Sequence, residues 1–174
     1  MSKTIGYMLT WTTYGSWLPG DERGYVADGR ILRGDEEILE RNIKRRKSPA
    51  IKLNPREKEI VEQTIRTEAE GLGHKLEAVI VCSNHVHLLA RRHAQSIEEI
   101  VGRYKSLTTR ALWQQGRKGR IWSKGYDKRF CFSEQDIAAR AKYIQDHNDS
   151  PAARIDRRQN QIQADGEYAE KTSD

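Results

Sequence analysis

The sequence predicts an α+β domain built on one antiparallel sheet, and three observations carry that prediction. Val86, Leu88 and Ala90 alternate with His85, His87 and Leu89, the period of a half-buried strand. Capped helix starts flank this strand region, at Asn54-Pro55-Arg56-Glu57 and at Ser96 with Glu99 three residues on. The chain has 174 residues, which suits one core with an appended arm or tail.

Residues 5–14 are rich in aromatic and β-branched types and form the first predicted strand. Gly15-Ser16-Trp17-Leu18-Pro19-Gly20-Asp21 ends it. Residues 20–53, approximately, read as a basic excursion with a short helix at Glu36–Lys47. Residues 41–58 hold eight Lys or Arg against one acid, Glu57, which makes this segment either a solvated arm or a phosphate-contacting one. The helix opened by Asn54 has Pro55 at its first position and Ile60, Val61, Ile65 and Leu72 on its apolar side, and it stops at Gly71-Leu72-Gly73. Strands follow at about 75–83 and 85–92, separated by Ser83-Asn84, as a hairpin whose turn type the sequence leaves open.

The helix from Ser96 carries Ile97, Ile100, Val101, Tyr104, Leu107 and Ala111 on one face. A basic, glycine-punctuated loop at 114–120 leads to a fourth strand over Ile121–Phe132, weakened by Gly125. A third helix opens at Ser133, with Phe132 and Ile137 spaced as a hydrophobic staple, and runs to about His147. Strand, helix, strand, strand, helix, strand is the order of the split βαβ, or ferredoxin-like, arrangement. Two helices then cover one sheet face, His85 and His87 lie on the other, and the added C-terminal helix follows. The domain is expected over residues 1–150, with a polar, mobile tail over 151–174.

A net charge of +6 and a pI of about 9.4 point to a polyanionic partner. No run of 18 apolar residues exists, so a membrane span is not expected. The N-terminus runs directly into strand-like sequence without a signal peptide, and the protein reads as cytoplasmic. Two cysteines, Cys82 and Cys131, are not expected to make a disulfide framework or a thiolate zinc site, and Cys82 reads as a small core residue.

His85 and His87 share one strand face about 7 Å apart along the backbone, close enough for two imidazoles to grip one metal ion. On the C-terminal helix, Tyr143 and His147 are four residues apart and therefore neighbours, beside the apolar stripe Ile137, Ala141 and Ile144. With that stripe docked on the sheet, Tyr143 and His147 overhang the histidine pair. A phenol has a reference pKa near 10 and is a weak nucleophile at neutral pH, so it needs an activated electrophile. A divalent cation at a phosphate supplies that activation, and the phosphotyrosine formed keeps the bond energy for rejoining.

Asn84-His85-Val86-His87-Leu88-Leu89 resembles the metal motif of the HUH endonucleases, and Ala141-Lys142-Tyr143-Ile144 resembles the helix of their single-tyrosine transposase branch. Leu9–Asp21 and Trp122–Tyr126 are similar to the group that includes the REP-associated tyrosine transposases. The resemblance spans about residues 5–150. It implies a metal-dependent endonuclease and strand transferase that acts on single-stranded DNA, often at the foot of a hairpin or palindrome. Tyr143 is the implied nucleophile, giving a 5′-phosphotyrosine, and His85 and His87 are the implied ligands of Mg²⁺ or Mn²⁺. In such transposases a polar residue one turn after the tyrosine, often Gln or Asn, completes the metal site. Here that position is His147, a departure that shifts preference toward softer ions such as Zn²⁺ or Co²⁺. Asp146 and Asn148 are the alternative third ligands. The resemblance admits monomers and homodimers, and a nucleoid-associated place of action.

Residues 101–130 contain nine Lys or Arg and one acid, Asp127. Arg103, Arg110, Arg117, Lys118, Arg120 and Lys124 are the candidate phosphate contacts, with Trp17 as an exposed base-stacking residue. The competing reading is a module or repressor on the same fold that binds single-stranded DNA or an RNA hairpin without catalysis. No RNP-type aromatic motif favours the RNA version.

Overall fold

The computed structural model describes residues 3–27 and 30–147; the predicted tail and Asn148 lie outside them. In chain order the elements are β1 (Gly6–Thr12), β2 (Tyr25–Ala27), β3 (Arg30–Leu32), α1 (Glu36–Arg45), α2 (Pro55–Leu72), β4 (Leu76–Val81), β5 (His85–Arg91), α3 (Ile97–Gln114), β6 (Asp127–Cys131) and α4 (Glu134–Gln145). Four strands form an antiparallel sheet of order β4-β5-β1-β6, and β2 and β3 make a separate hairpin. β5 lies between β4 and β1, and β1 lies between β5 and β6. The units β1-α2-β4 and β5-α3-β6 are thus two interleaved split βαβ units, as the pattern of the sequence predicts.

The helix starts follow local chemistry. Asn54 and Glu57, Ser96 and Glu99, and Ser133 and Asp136 each form a reciprocal capping box. Each box satisfies backbone N–H groups that the first turn leaves without a helical acceptor. Gly73, in the left-handed region at φ 65°, closes α2.

The sheet separates two cores. Tyr7, Leu9, Trp11, Val79, Val81, Val86 and Leu88 pack on one face with Val61 and Ile65 of α2 and Ile100, Val101 and Tyr104 of α3. Met8, Leu89 and Cys131 pack on the other with Ile137 and Ile144 of α4. The face that carries His85 and His87 is therefore covered in part by α4. Gly6 permits this docking: a Cβ there would meet the Ala90 carbonyl oxygen at 2.6 Å and Ile137 Cδ1 at 2.8 Å. Arg91 of β5 bridges Glu77 of β4 and Glu134 of α4, which ties the start of the helix to the sheet.

Three elements differ from the sequence expectation: the β2–β3 hairpin, which the expected basic excursion lacks, the fourth strand and the buried side of α3. The strand predicted over Ile121–Phe132 is confined to Asp127–Cys131. Gly125 turns the chain at φ 77°, and Ile121 and Trp122 fill the first core. Trp122 meets Trp11 edge-on and donates its indole N–H to Thr108. The buried side of α3 accordingly includes Thr108 and Leu112, whereas the sequence pattern suggested Leu107 and Ala111. No helix among the described residues is long and apolar enough to cross a membrane.

His74 bridges two core tyrosines, with Nε2 3.0 Å from the Tyr7 hydroxyl and Nδ1 2.6 Å from the Tyr104 hydroxyl. Burial, with the nearby His93, pushes its pKa down to about 4. Above about pH 6.5 His74 is neutral folded and unfolded, and its full contribution to stability is present. As pH falls from there toward 4, the unfolded chain takes up a proton that the folded chain refuses. Stability drops across that window by up to about 3 kcal/mol. Urea midpoints should therefore decline more steeply in the wild type than in His74→Gln between about pH 7 and pH 4.5. Parallel profiles would show that His74 does not set the acid limit.

Candidate active site and nucleic-acid interface

β5 presents alternate residues to opposite faces, so Val86 and Leu88 enter the first core while His85 and His87 face α4. The apolar stripe of α4 seats the helix so that Tyr143 and His147 reach these histidines. Ring centroids of His85 and His87 are 4.7 Å apart, and His147 lies 4.9 Å from His85 and 4.4 Å from His87. The Tyr143 ring lies 5.6 Å from both His87 and His147. Tyr143 is 37% exposed, while His87 and His147 are buried.

Neighbouring polar groups orient the imidazoles. Asn84 Oδ1 is 2.7 Å from His85 Nδ1, and the Thr10 hydroxyl is 2.7 Å from His87 Nδ1. An amide oxygen only accepts, so the His85 proton sits on Nδ1 and its lone pair on Nε2. That Nε2 lies 2.7 Å from His147 Nε2. His85 and His87 are thus held through Nδ1, the outer-nitrogen support that metal-binding histidines use, and His85 and His147 turn Nε2 toward each other. Imidazole nitrogens placed in this way can serve as donors to a metal ion. Thr10 escaped sequence reasoning because its role depends on the register Thr10↔His87.

Cys82 is a buried core residue, as the sequence suggests, and its Sγ and nitrogens of His85 and His147 all lie within 4.8 Å of one another. Asp146 caps the end of α4 and is exposed, outside this group of donors.

The predicted DNA-contacting residues divide by location. A groove of about 570 Å³ between α3 and residues 119–124 is lined by Lys105, Arg110, Trp113, Arg120, Trp122 and Lys124, among others. Burial, together with Arg120, holds the Lys105 ammonium below the usual lysine range. Lys105 donates to the carbonyls of Ser123 and Gly125, and Arg120 lies over the Tyr14 ring. Trp113 is 49% exposed at the rim. Thr12 joins the groove to the histidines: it pairs with His85 across the sheet and bonds Ser123 through its hydroxyl at 2.7 Å.

Arg103 and Arg117 lie outside this groove lining and are engaged by acids, Arg103 with Glu68 and Arg117 with Glu57 at 2.6 Å. The Arg117 bond holds the Glu57 carboxyl below the usual range. Lys118 is exposed. Trp17 is 48% exposed, with Arg23 over its ring and its indole N–H on the Gly24 carbonyl.

None of the curated proteins matches this chain. A solved REP-associated tyrosine transposase bound to a REP hairpin superposes with a TM-score of 0.51 at 14% identity, over 82% of this chain. The chain spans 65% of the length of that structure. A transposase-like protein of Deinococcus radiodurans R1 aligns with a TM-score of 0.42 at 19% identity, over 86% of this chain and 95% of that one. The first of these has the same α+β fold, with helices on an antiparallel sheet. The family model described as "Transposase IS200 like" matches residues 42–147, which include β5, α3 and α4. That match covers well over half of the sequence, and the chain belongs to the IS200-like transposase family.

Proposed function

We propose that this chain is a metal-dependent endonuclease and strand transferase for single-stranded DNA, acting at hairpins through Tyr143. The observation that supports this most is the position of Tyr143, beside His87 and His147 and within the same chain. The Tyr143 hydroxyl oxygen attacks the scissile phosphorus as its proton passes to solvent. The P–O3′ bond breaks as the P–O(Tyr) bond forms, leaving a 5′-phosphotyrosine and a 3′ oxygen that takes up a proton. A second 3′-hydroxyl reverses the step and rejoins the strand. His85, His87 and His147 would hold Mg²⁺ or Mn²⁺, and the bound ion would supply Lewis-acid stabilisation of the charge that develops on the phosphate. Asn84 and Thr10 keep the imidazoles turned for that role. One chain supplies both the tyrosine and the histidines, so a single copy holds a complete set of these groups.

The basic groove supports a single-stranded substrate, since its cations suit phosphates and Trp113 offers a stacking face. The hairpin is suggested by the REP hairpin in the solved neighbour. The test is incubation with labelled hairpin DNAs and Mn²⁺, followed by denaturing electrophoresis. A covalent adduct that a chelator prevents is the expected result. Salt-sensitive binding with no adduct for any hairpin would instead favour the non-catalytic binding module.

Replacing Arg110, Arg120 and Lys124 together with Ala should weaken single-stranded DNA binding. It should also reduce the slope of log affinity against log salt by about two. An unchanged slope would remove the groove from the interface.

A further inference from the structure

We propose that Cys82 gives the histidine cluster a second metal-binding mode, in which the Cys82 thiolate, His85 and His147 hold a zinc-class ion. The hairpin register places the thiol there. Val81 pairs with Val86 and both point into the first core. The next pair outward is Cys82 with His85, joined by the Cys82 N–H on the His85 carbonyl at 2.8 Å. One step along a strand reverses the face, so Cys82 and His85 are cross-strand neighbours on the side covered by α4. His147 reaches the same point from the helix, with Nε2 2.7 Å from His85 Nε2.

The three donor atoms lie within 4.8 Å of one another. A tetrahedral zinc ion with ordinary Zn–S and Zn–N bonds sets its donors about 3.3–3.6 Å apart. Side-chain shifts of about an ångström therefore close the set. One thiolate with two imidazoles is a donor set for zinc or cobalt, whereas Mg²⁺ and Mn²⁺ favour oxygen. On binding, the Cys82 S–H gives its proton to the buffer as the sulfur–metal bond forms. His87, held by Thr10, is outside this set, and the fourth position is left for water or a phosphate oxygen.

His85 and His147 serve both modes, so an ion held through Cys82 excludes the Mg²⁺ or Mn²⁺ mode. That antagonism rests on the function proposed above; the thiolate site itself does not. The two are separated by reading metal binding without DNA. Co²⁺ is added to the full-length reduced protein and its near-ultraviolet thiolate-to-cobalt charge-transfer band is recorded. The band should appear in the wild type, persist in Cys131→Ser, and vanish in Cys82→Ser and Cys82→Ala. Zn²⁺ affinity, from competition with a chelating dye, should fall at least about tenfold in both Cys82 variants. Far-ultraviolet circular dichroism establishes that those variants are folded. Absence of the band in the wild type, or its survival in folded Cys82→Ser, overturns the proposal. Failure of the Mn²⁺-dependent DNA adduct would instead bear on the tyrosine chemistry.

Discussion

Tyr143→Phe is expected to abolish the denaturation-resistant DNA adduct and to lower strand cleavage by at least about 10⁴-fold, because the attacking oxygen is gone. The rest of the site stays in place. The phenyl ring keeps its position against His87 and His147, and α4 remains seated by Ile137 and Ile144. Tyr143 is 37% exposed, so stability should change by no more than about 0.5 kcal/mol. Hairpin affinity and its salt slope should be retained, since the proposed phosphate contacts lie in the groove beside α3 and no cation is changed. Measured together, adduct yield, binding and melting temperature isolate the nucleophile. Cleavage by Tyr143→Phe at the wild-type rate would end the assignment.

His85→Ala should lower Mn²⁺-dependent adduct formation by about 10²-fold or more, on the several kcal/mol that a correctly held cation contributes to phosphate chemistry. His85 is chosen because it is the hub of the cluster, bonded to Asn84 on one side and to His147 on the other. Its loss should show mainly as a requirement for more metal, so adduct yield should recover in part as Mn²⁺ is raised. A variant with the wild-type metal dependence would show that His85 orients other groups and does not bind the ion. His87→Ala provides the comparison: it removes the Thr10 partner but leaves the pair formed by His85 and His147.

Much of this arrangement is legible in the sequence because it depends on local rules. The alternation in 85–90 places His85 and His87 on one face, and the i, i+4 spacing places Tyr143 and His147 on one side of a helix. The apolar stripe Ile137, Ala141 and Ile144 is enough to say where that helix docks. What escaped depends on register. Residues 82–84 connect β4 and β5, and treating Ser83-Asn84 as a two-residue hairpin would have paired Cys82 with His85. With the turn left open, the cysteine read correctly as core but its place beside His85 and His147 stayed hidden. Thr10 and the link from Tyr7 through His74 to Tyr104 are further from reach, since they join residues 77, 67 and 30 positions apart. The short β6 had a visible signal in Gly125, but the burial of Ile121 and Trp122 in the first core did not follow from it.

The close contact between Gly6 and Ile137 has a mechanical consequence. α4 behaves as a rigid arm whose fulcrum is at Ile137 and whose working end is Tyr143, about 9 Å further along at the helical rise. A methyl group added at Gly6 would push on the fulcrum from beneath, and the displacement would be transmitted to the hydroxyl oxygen. The reach of the proposed nucleophile is thus calibrated by a hydrogen atom on a strand that carries none of the proposed reacting groups.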